Sequence, residues 1–452
     1  MSEQISRRRF LLLAGALGAA AGPGMVVTDA ATLRPTSGAA LPRPAWARPV
    51  SRPRTGIDDA TYRRFDKRQV VFFSTQGGSF ARYAGKEREQ ALLAVSRQAV
   101  AKLAARPGFG PRDRALAAAA RTVSSTQGGP NVANRGLMSW TPLQAGSPDP
   151  SLAEDWEDAE AATRDVKIAA RFLGAALVGV CLLDRRHVYS HELDGKALAF
   201  EEVDRPYETD DRRVIPSRCR YVVVYAVRMS AETVKRAPTA LTTAAANLAY
   251  SQLAQLGASL AEFIRASGHV AIPTVNDTAS TIPFAVEAGL GELGRHNRLI
   301  TPEHGPMVRL GKLFTDLPLL PDSPIDAGIV GFCRSCAKCA EACPADALSY
   351  AEGPSLATRG PWNNPGHEAW FEDAVNCFSY LNEIATNCMI CFSVCPYSNK
   401  DRAAAHGLVK ATIARTDLLN GILRSVDDAF GYGGQKSPDG WWHLNLPPFG
   451  LD

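Results

Sequence analysis

Charge of one sign is what this chain has least of. Its 452 residues carry 50 Lys and Arg against 46 Asp and Glu, a formal +4. That balance gives no concentrated basic face and argues against a nucleic-acid partner. Long apolar runs are also scarce. The one candidate, residues 10–27, holds 18 uncharged residues, but nine of them are Gly or Ala and Pro23 interrupts them. Such a stretch makes a poor membrane span. Cysteine is almost missing from the first 332 residues, where only Cys181 and Cys219 occur, in or beside apolar segments that suit ordinary buried thiols. What is present suffices for a packed core, with 46% hydrophobic and 21% charged residues. The length suggests two to three domains.

The first charged cluster, Arg7-Arg8-Arg9, stands just before that weak apolar run. Paired arginines in this place read as a twin-arginine export signal over residues 1–34, with a short membrane anchor as the alternative. Residues 35–60 hold Pro35, Pro42, Pro44, Pro49 and Pro53 and read as a linker or a surface arm. Within an N-terminal region, 61–165, residues 65–74 suggest a strand and 87–105 a helix. A Gly-, Pro- and Ser-rich loop spans 127–150. A core over 166–328 then alternates strands (175–183, 220–228, 269–274) with helical patterns, the longest at 239–266, which implies an α/β (α+β) fold. The charged run 204–213 reads as a solvated loop.

The eight remaining cysteines crowd into a ferredoxin-like segment, 329–410, with an insert at 349–376; residues 411–452 form a tail. Cys333, Cys336, Cys339 and Cys343 follow the bacterial ferredoxin spacing and end in Pro344. Cys377, Cys388, Cys391 and Cys395 repeat it, ending in Pro396, with the first cysteine displaced upstream. Two-residue gaps let one loop wrap three thiolates around a cubane, while the fourth cysteine reaches the other cluster. The expected metal ligands are therefore Cys333, Cys336, Cys339 and Cys395 for one 4Fe–4S cluster. Cys343, Cys377, Cys388 and Cys391 serve the other. Structural zinc or disulfides would leave the paired Cys-Pro endings unexplained.

A chain with two clusters needs an electron acceptor. Gly289, Gly291 and Gly294 match GxGxxG, but Pro283 before them and Pro302 and Pro306 after them break the strand–turn–helix context that nucleotide binding requires. Those glycines either let the backbone approach a flat ligand or make tight turns. His187 and His191 lie four apart without a third ligand in sequence, which favours a surface or strand-turn role. The Asp-x-His-x-x-Gly pattern that would place a histidine on cobalt is absent.

Residues 286–295, 299–309 and 315–319, running into the first cysteine motif, closely resemble the corrinoid-dependent reductive dehalogenases. The twin-arginine start, residues 430–433 and Trp441-Trp442 fit the same family. The resemblance implies a nitroreductase-like corrinoid-binding core and a corrinoid without a protein ligand to cobalt. Gly289, Gly291, Gly294 and Arg295 would contact it. The implied activity is an oxidoreductase that cleaves the carbon–halogen bond of a small organohalide. The implied partners are a membrane electron donor and a small integral-membrane anchor, with the chain on the outer face of the cytoplasmic membrane. The alternatives are an epoxyqueuosine-reductase-like enzyme and a non-catalytic iron–sulfur subunit.

Matching motif by motif, the resemblance makes Tyr250 the proton donor, with Asn276 and Arg309 beside it. A free phenol is a weak acid at neutral pH, and a guanidinium close to its oxygen would favour phenolate. Each has a plainer reading: Tyr250 as a packed core residue, Asn276 as a turn residue, Arg309 as a partner of Glu303 or Asp316. Trp362, Trp370 and Phe371 in the insert would either line a channel or pack the insert, the former being slightly favoured.

Overall fold

An eight-residue run with no charge in its interior, Tyr221–Arg228, forms the centre of the main sheet, its six inner residues buried on both faces. A strand covered on both sides reads as such a continuous apolar run. The computed structural model describes residues 43–73, 79–128, 135–143, 156–398, 404–416, 420–421, 424 and 434–451. The export-signal segment and residues 430–433 therefore lie outside the described residues.

The strands used below are β1 (Leu177–Leu182), β2 (Ala197–Glu201), β3 (Arg212–Pro216), β4 (Tyr221–Arg228), β5 (Ala271–Thr274), β6 (Glu292–Leu293), β7 (Leu299–Ile300) and β8 (Val308–Thr315). The helices are α1 (Lys86–Leu103), α2 (Pro111–Thr126), α3 (Ala159–Phe172), α4 (Ala240–Ala266), α5 (Thr281–Glu287), α6 (Ile329–Cys336), α7 (Lys338–Glu341), α8 (Ala374–Glu383) and α9 (Ile390–Ser393). The main sheet has the order β1-β4-β8-β5, and every neighbouring pair is antiparallel. Helix and sheet thus mix as the sequence implied.

Helix α4 is apolar almost all round, the composition of a helix buried on every side. It packs on one face of the sheet with α3, whose start is set by Asp158 accepting from the Ala161 N–H. Gly257 marks the tightest crossing, because a Cβ there would sit 2.4 Å from Tyr225 Oη. The other face is covered by α5 and by Val188, Leu198 and Ile215.

Several sequence expectations are corrected. Residues 65–74 were expected as a strand. Lys67–Gln69 and Val71–Phe73 are single 3-10 turns instead, the first capped by Asp66 accepting from the Arg68 N–H. The charged run 204–213 is not only a loop, since Arg212 and Arg213 open β3, which pairs in parallel with β2. The proline-rich arm is docked where it is described: Arg48–Pro49 pairs with Ile325–Asp326, and Arg48 and Arg54 both reach the Asp326 carboxylate.

Candidate functional site

The site is built where α4, the turn after β5 and strand β8 meet. Tyr250 projects half-buried from α4 and packs on the core that also contacts Cys388 and Cys391. The exposed Asn276 donates from Nδ2 to Tyr250 Oη at 3.0 Å. Among the described residues the phenol O–H has no protein acceptor, so it remains available to a substrate. Arg309 lies with its guanidinium 5.5 Å from the centres of both the Tyr250 and Phe392 rings. Its Nη2 approaches Met389 Sδ at 4.0 Å, and its buried Nε has no partner.

The three residues singled out from sequence therefore come together, with one change. Arg309 covers the face of the Tyr250 ring and was expected near its oxygen. A cation over a ring is still attracted by the π quadrupole. It pairs with neither Glu303 nor Asp316, since Asp316 is held by Arg218 at 2.9 Å and by His269.

Asn276 is placed by buried charge that the sequence reading missed. The turn Val275–Thr278 ends in Thr278 at φ 69°, a left-handed conformation that costs energy for a β-branched residue. Asp277 Oδ1 accepts the Val275 N–H at 2.9 Å, and its carboxylate pairs with Arg135. Lys312, fully buried in β8, donates from Nζ to Val275 O at 2.8 Å and to Asp277 O and Thr281 Oγ1 at 3.0 Å. Lys67 pairs with Glu192 at 2.9 Å, and Glu192 accepts the Thr278 N–H. Burial alone would raise the Asp277 carboxyl, but Arg135, Lys67 and Lys312 hold it well below the usual range. Burial pushes the Lys312 ammonium down to about 7. A lysine three residues after Arg309, inside the apolar end of β8, was the available signal, because lysine is almost never fully buried unpaired.

The cysteines fall into the two expected groups. Cys333, Cys336, Cys339 and Cys395 line one small cavity of about 20 Å³, between α6, α7 and the segment after α9. Cys343, Cys377, Cys388 and Cys391 neighbour one another, as their mutual electrostatic influence shows. Burial pushes the Cys333 and Cys391 thiols up to about 12 and Cys388 to about 11. Cys339 and Cys377 are pushed up as well. Buried thiols crowded this way resist ionising alone, and iron supplies the compensating charge. Arg298, paired with Glu372 at 2.8 Å, adds a cation near Cys377 and Cys391. This donor set fits two four-iron clusters. Cys181 and Cys219 are buried, as expected of structural thiols.

Of the two readings of the glycine motif, the backbone shows the tight turn. It forms the hairpin β6–β7, with no helix after it. A Cβ on Gly291 would lie 2.2 Å from Ile300 O, one on Gly289 2.3 Å from Ser323 O, and one on Gly294 2.4 Å from Ile300 Cδ1. These close approaches are to the chain itself, as the tight-turn reading expected. Arg295 likewise spends its guanidinium on the carbonyls of Cys333, Arg334, Ser349 and Ala351, and stacks on Trp370. It braces the cluster-binding loop.

The insert aromatics pack rather than line a channel. Trp370 is fully buried and bonded to Ala351 O, and Trp362 packs on Tyr83 and donates to Glu372 O. Phe371 packs edge-on against His367. His187 is not a surface residue. It is buried between Tyr62 Oη and Glu287 Oε1, each 2.9 Å away. His191 faces Ser190 instead.

Comparison with known proteins agrees with this arrangement. Residues 193–319 match the model of a reductive dehalogenase subunit, and residues 332–398 match a 4Fe-4S double cluster binding domain. A tetrachloroethene reductive dehalogenase of Sulfurospirillum multivorans is 37% identical over 329 residues, 69% of this chain and 64% of that one. The chain belongs to the reductive dehalogenase family. Another family member, a tetrachloroethene reductive dehalogenase of Desulfitobacterium hafniense (strain Y51), is 32% identical over 67% of this chain and 60% of its own. The catabolic reductive dehalogenase NpRdhA, solved with 3-bromo-4-hydroxybenzoic acid, shares the fold with a TM-score of 0.64 at 22% identity, covering 88% of this chain and 50% of that one. The chain thus spans about half to two thirds of the length of these reductive dehalogenases. An epoxyqueuosine reductase of Listeria monocytogenes is similar over only 69 residues, 15% of this chain. The cofactors of the reductive dehalogenases are two 4Fe–4S clusters and a corrinoid, and this chain takes both kinds. The half-open face shared by Tyr250, Asn276 and Arg309, with the orphaned Arg309 Nε, fits the corrinoid and its substrate.

Proposed function

We propose that this chain reductively cleaves the carbon–halogen bond of a small organohalide. Two electrons and one proton convert the carbon–halogen bond to carbon–hydrogen and release halide. The bound corrinoid supplies the reducing cobalt centre and the clusters supply its electrons. What this chain's own residues contribute is binding and proton delivery.

The observation that carries the reading is the Asn276–Tyr250–Arg309 arrangement, packed on the same core as Cys388 and Cys391. Asn276 donates to the phenol oxygen, so the oxygen is held in place while its own O–H points to substrate. Arg309 places its guanidinium over the ring and fixes the ring's orientation. A positioned acid of this type contributes about 10²–10⁴-fold. In this reading the core spans 166–328, the ferredoxin-like part spans 329–410, and its eight cysteines hold the iron.

The Arg7-Arg8-Arg9 start supports export by the twin-arginine route to the outer face of the cytoplasmic membrane. Within the described residues no helix is long and apolar enough to cross a membrane. A small integral-membrane anchor and a membrane electron donor complete the proposed setting.

The test uses anaerobically reconstituted protein and a viologen-driven assay over chlorinated and brominated compounds. About eight irons and one corrinoid per chain are expected. Tyr250→Phe should keep both cofactors and lose at least about 10²-fold in turnover. Parent-level dehalogenation by that variant would overturn the assignment of the proton donor.

A further inference from the structure

Two buried polar side chains meet nothing in the cavity formed by Cys333, Cys336, Cys339 and Cys395. His296, 2% exposed, has no hydrogen-bond partner on either ring nitrogen. Tyr397, 3% exposed, has none on its Oη. Both line the same four-cysteine cavity. Both rings are fixed. His296 stacks on Phe392 with 5.4 Å between centroids and 8° between planes, and Tyr397 meets Phe332 edge-on at 5.8 Å. Stacking leaves only the edge of the imidazole to find partners.

An unmet buried donor forfeits its hydration with nothing in return, so a site with several in one small cavity calls for an acceptor. The cavity's other polar side chain, Arg295, already bonds backbone carbonyls. The remaining acceptors are the sulfurs of whatever the four cysteines hold. We propose that His296 and Tyr397 donate hydrogen bonds to sulfur of the cluster bound by Cys333, Cys336, Cys339 and Cys395, and so raise the reduction potential of that cluster selectively. Donors aimed at cluster sulfur stabilise the more negative, reduced form. His296 carries a second consequence. Its stacking partner Phe392 is also the ring under Arg309, so the same side chain that tunes the cluster buttresses the guanidinium over Tyr250.

The inference rests on the cluster part of the proposed function and is independent of any organohalide. It is tested by redox titration of the anaerobically reconstituted holoprotein, followed by electron paramagnetic resonance, without substrate. Tyr397→Phe removes a single oxygen and keeps the packing. His296→Phe removes both nitrogens and keeps the stack. In each variant one of the two iron–sulfur couples should move to more negative potential, by about a tenfold change in its reduction equilibrium, or 59 mV for one electron. The second couple should stay where it was. Exchangeable-deuteron couplings at the shifted cluster should weaken in step. Two unmoved couples at full iron content would overturn the proposal, as would an equal shift of both couples or a shift confined to the corrinoid. If His296→Phe loses iron, Tyr397→Phe decides alone. A parent protein with fewer than two clusters removes the basis for both readings, whereas a protein with the expected shifts and no dehalogenation leaves this one standing.

Discussion

Replacing Asp277 by Asn tests whether buried charge holds the turn that presents Asn276. The cluster contains Lys67, Arg135 and Lys312 against Glu192 and Asp277, three cations to two carboxylates. The Lys312 ammonium, pushed down to about 7 by burial, lets the cluster balance by giving up that proton near neutrality. Asp277→Asn keeps an acceptor for the Val275 N–H but leaves three cations against one carboxylate. Removing one partner of a buried pair costs about 3–5 kcal/mol. Asp277 also favours the charged form of Lys312, so in the variant Lys312 loses its proton at lower pH than in the parent. Between that lower value and about 7, the unfolded variant binds a proton that the folded variant does not, while the parent binds it in both states. Stability of the variant therefore rises with pH across that window and that of the parent does not. Above it, both rise together toward the ordinary lysine range. The loss should be largest near about pH 5.5, shrink toward neutrality, and be level from there to about pH 8.5. Anaerobic urea unfolding followed by tryptophan fluorescence at three pH values reads it. A loss under about 1 kcal/mol, or an equal loss at the acid and alkaline ends, refutes the reasoning.

Two further outcomes are expected. Cys343→Ser should disturb the cluster of Cys377, Cys388 and Cys391 and leave the one in its own sequence motif intact. Iron analysis with electron paramagnetic resonance checks this, and loss of the signal assigned to Cys333, Cys336 and Cys339 would reverse the crossed ligation. Gly291→Ala places a methyl 2.2 Å from Ile300 O, so the β6–β7 hairpin must shift. The variant should melt several degrees below the parent and bind less iron, because the adjoining Arg295 braces the Cys333 loop, and an unchanged melt would remove the steric argument.

The cysteines were legible because cluster ligation dictates sequence spacing over a few residues. Strands β1, β4 and β5 were legible as short, nearly continuous apolar runs, and helix α4 because its many small apolar residues run on for 27 positions without Pro. Gly289, Gly291 and Gly294 were only half legible, because one spacing serves a backbone approached by a flat ligand and a tight turn packed against its own carbonyls alike. His187 does sit in a turn after β1, but its burial was hidden because its partners, Tyr62 and Glu287, are 125 and 100 residues away in sequence. Sequence separation also hid the cluster around Asp277, assembled from five separate segments. Trp370 illustrates the remaining error. Its indole N–H donates to Ala351 O and its ring face takes the Arg295 guanidinium, so an aromatic near a cofactor motif proved to be packing.

One strand ties these parts into a working geometry. Side chains alternate across a strand, so Arg309 and Lys312 on β8 face opposite sides of the sheet. Arg309 meets Tyr250 on the α4 side, while Lys312 reaches through the other layer to the carbonyls of Val275 and Asp277. Asn276 leaves that same turn and returns to Tyr250 Oη. The phenol is thus approached from two directions by groups whose positions are both fixed by β8. Its register is held by β4 over eight residue pairs and by β5 over four. A slip of one residue would exchange the faces, burying Arg309 among apolar side chains and removing Lys312 from the turn. Gly311 pins the register further, since a Cβ there would lie 2.4 Å from the Tyr225 ring. The placement of the proton donor's neighbours is therefore a property of sheet pairing, which explains how an exposed turn and a half-buried helix residue can hold a 3.0 Å hydrogen bond.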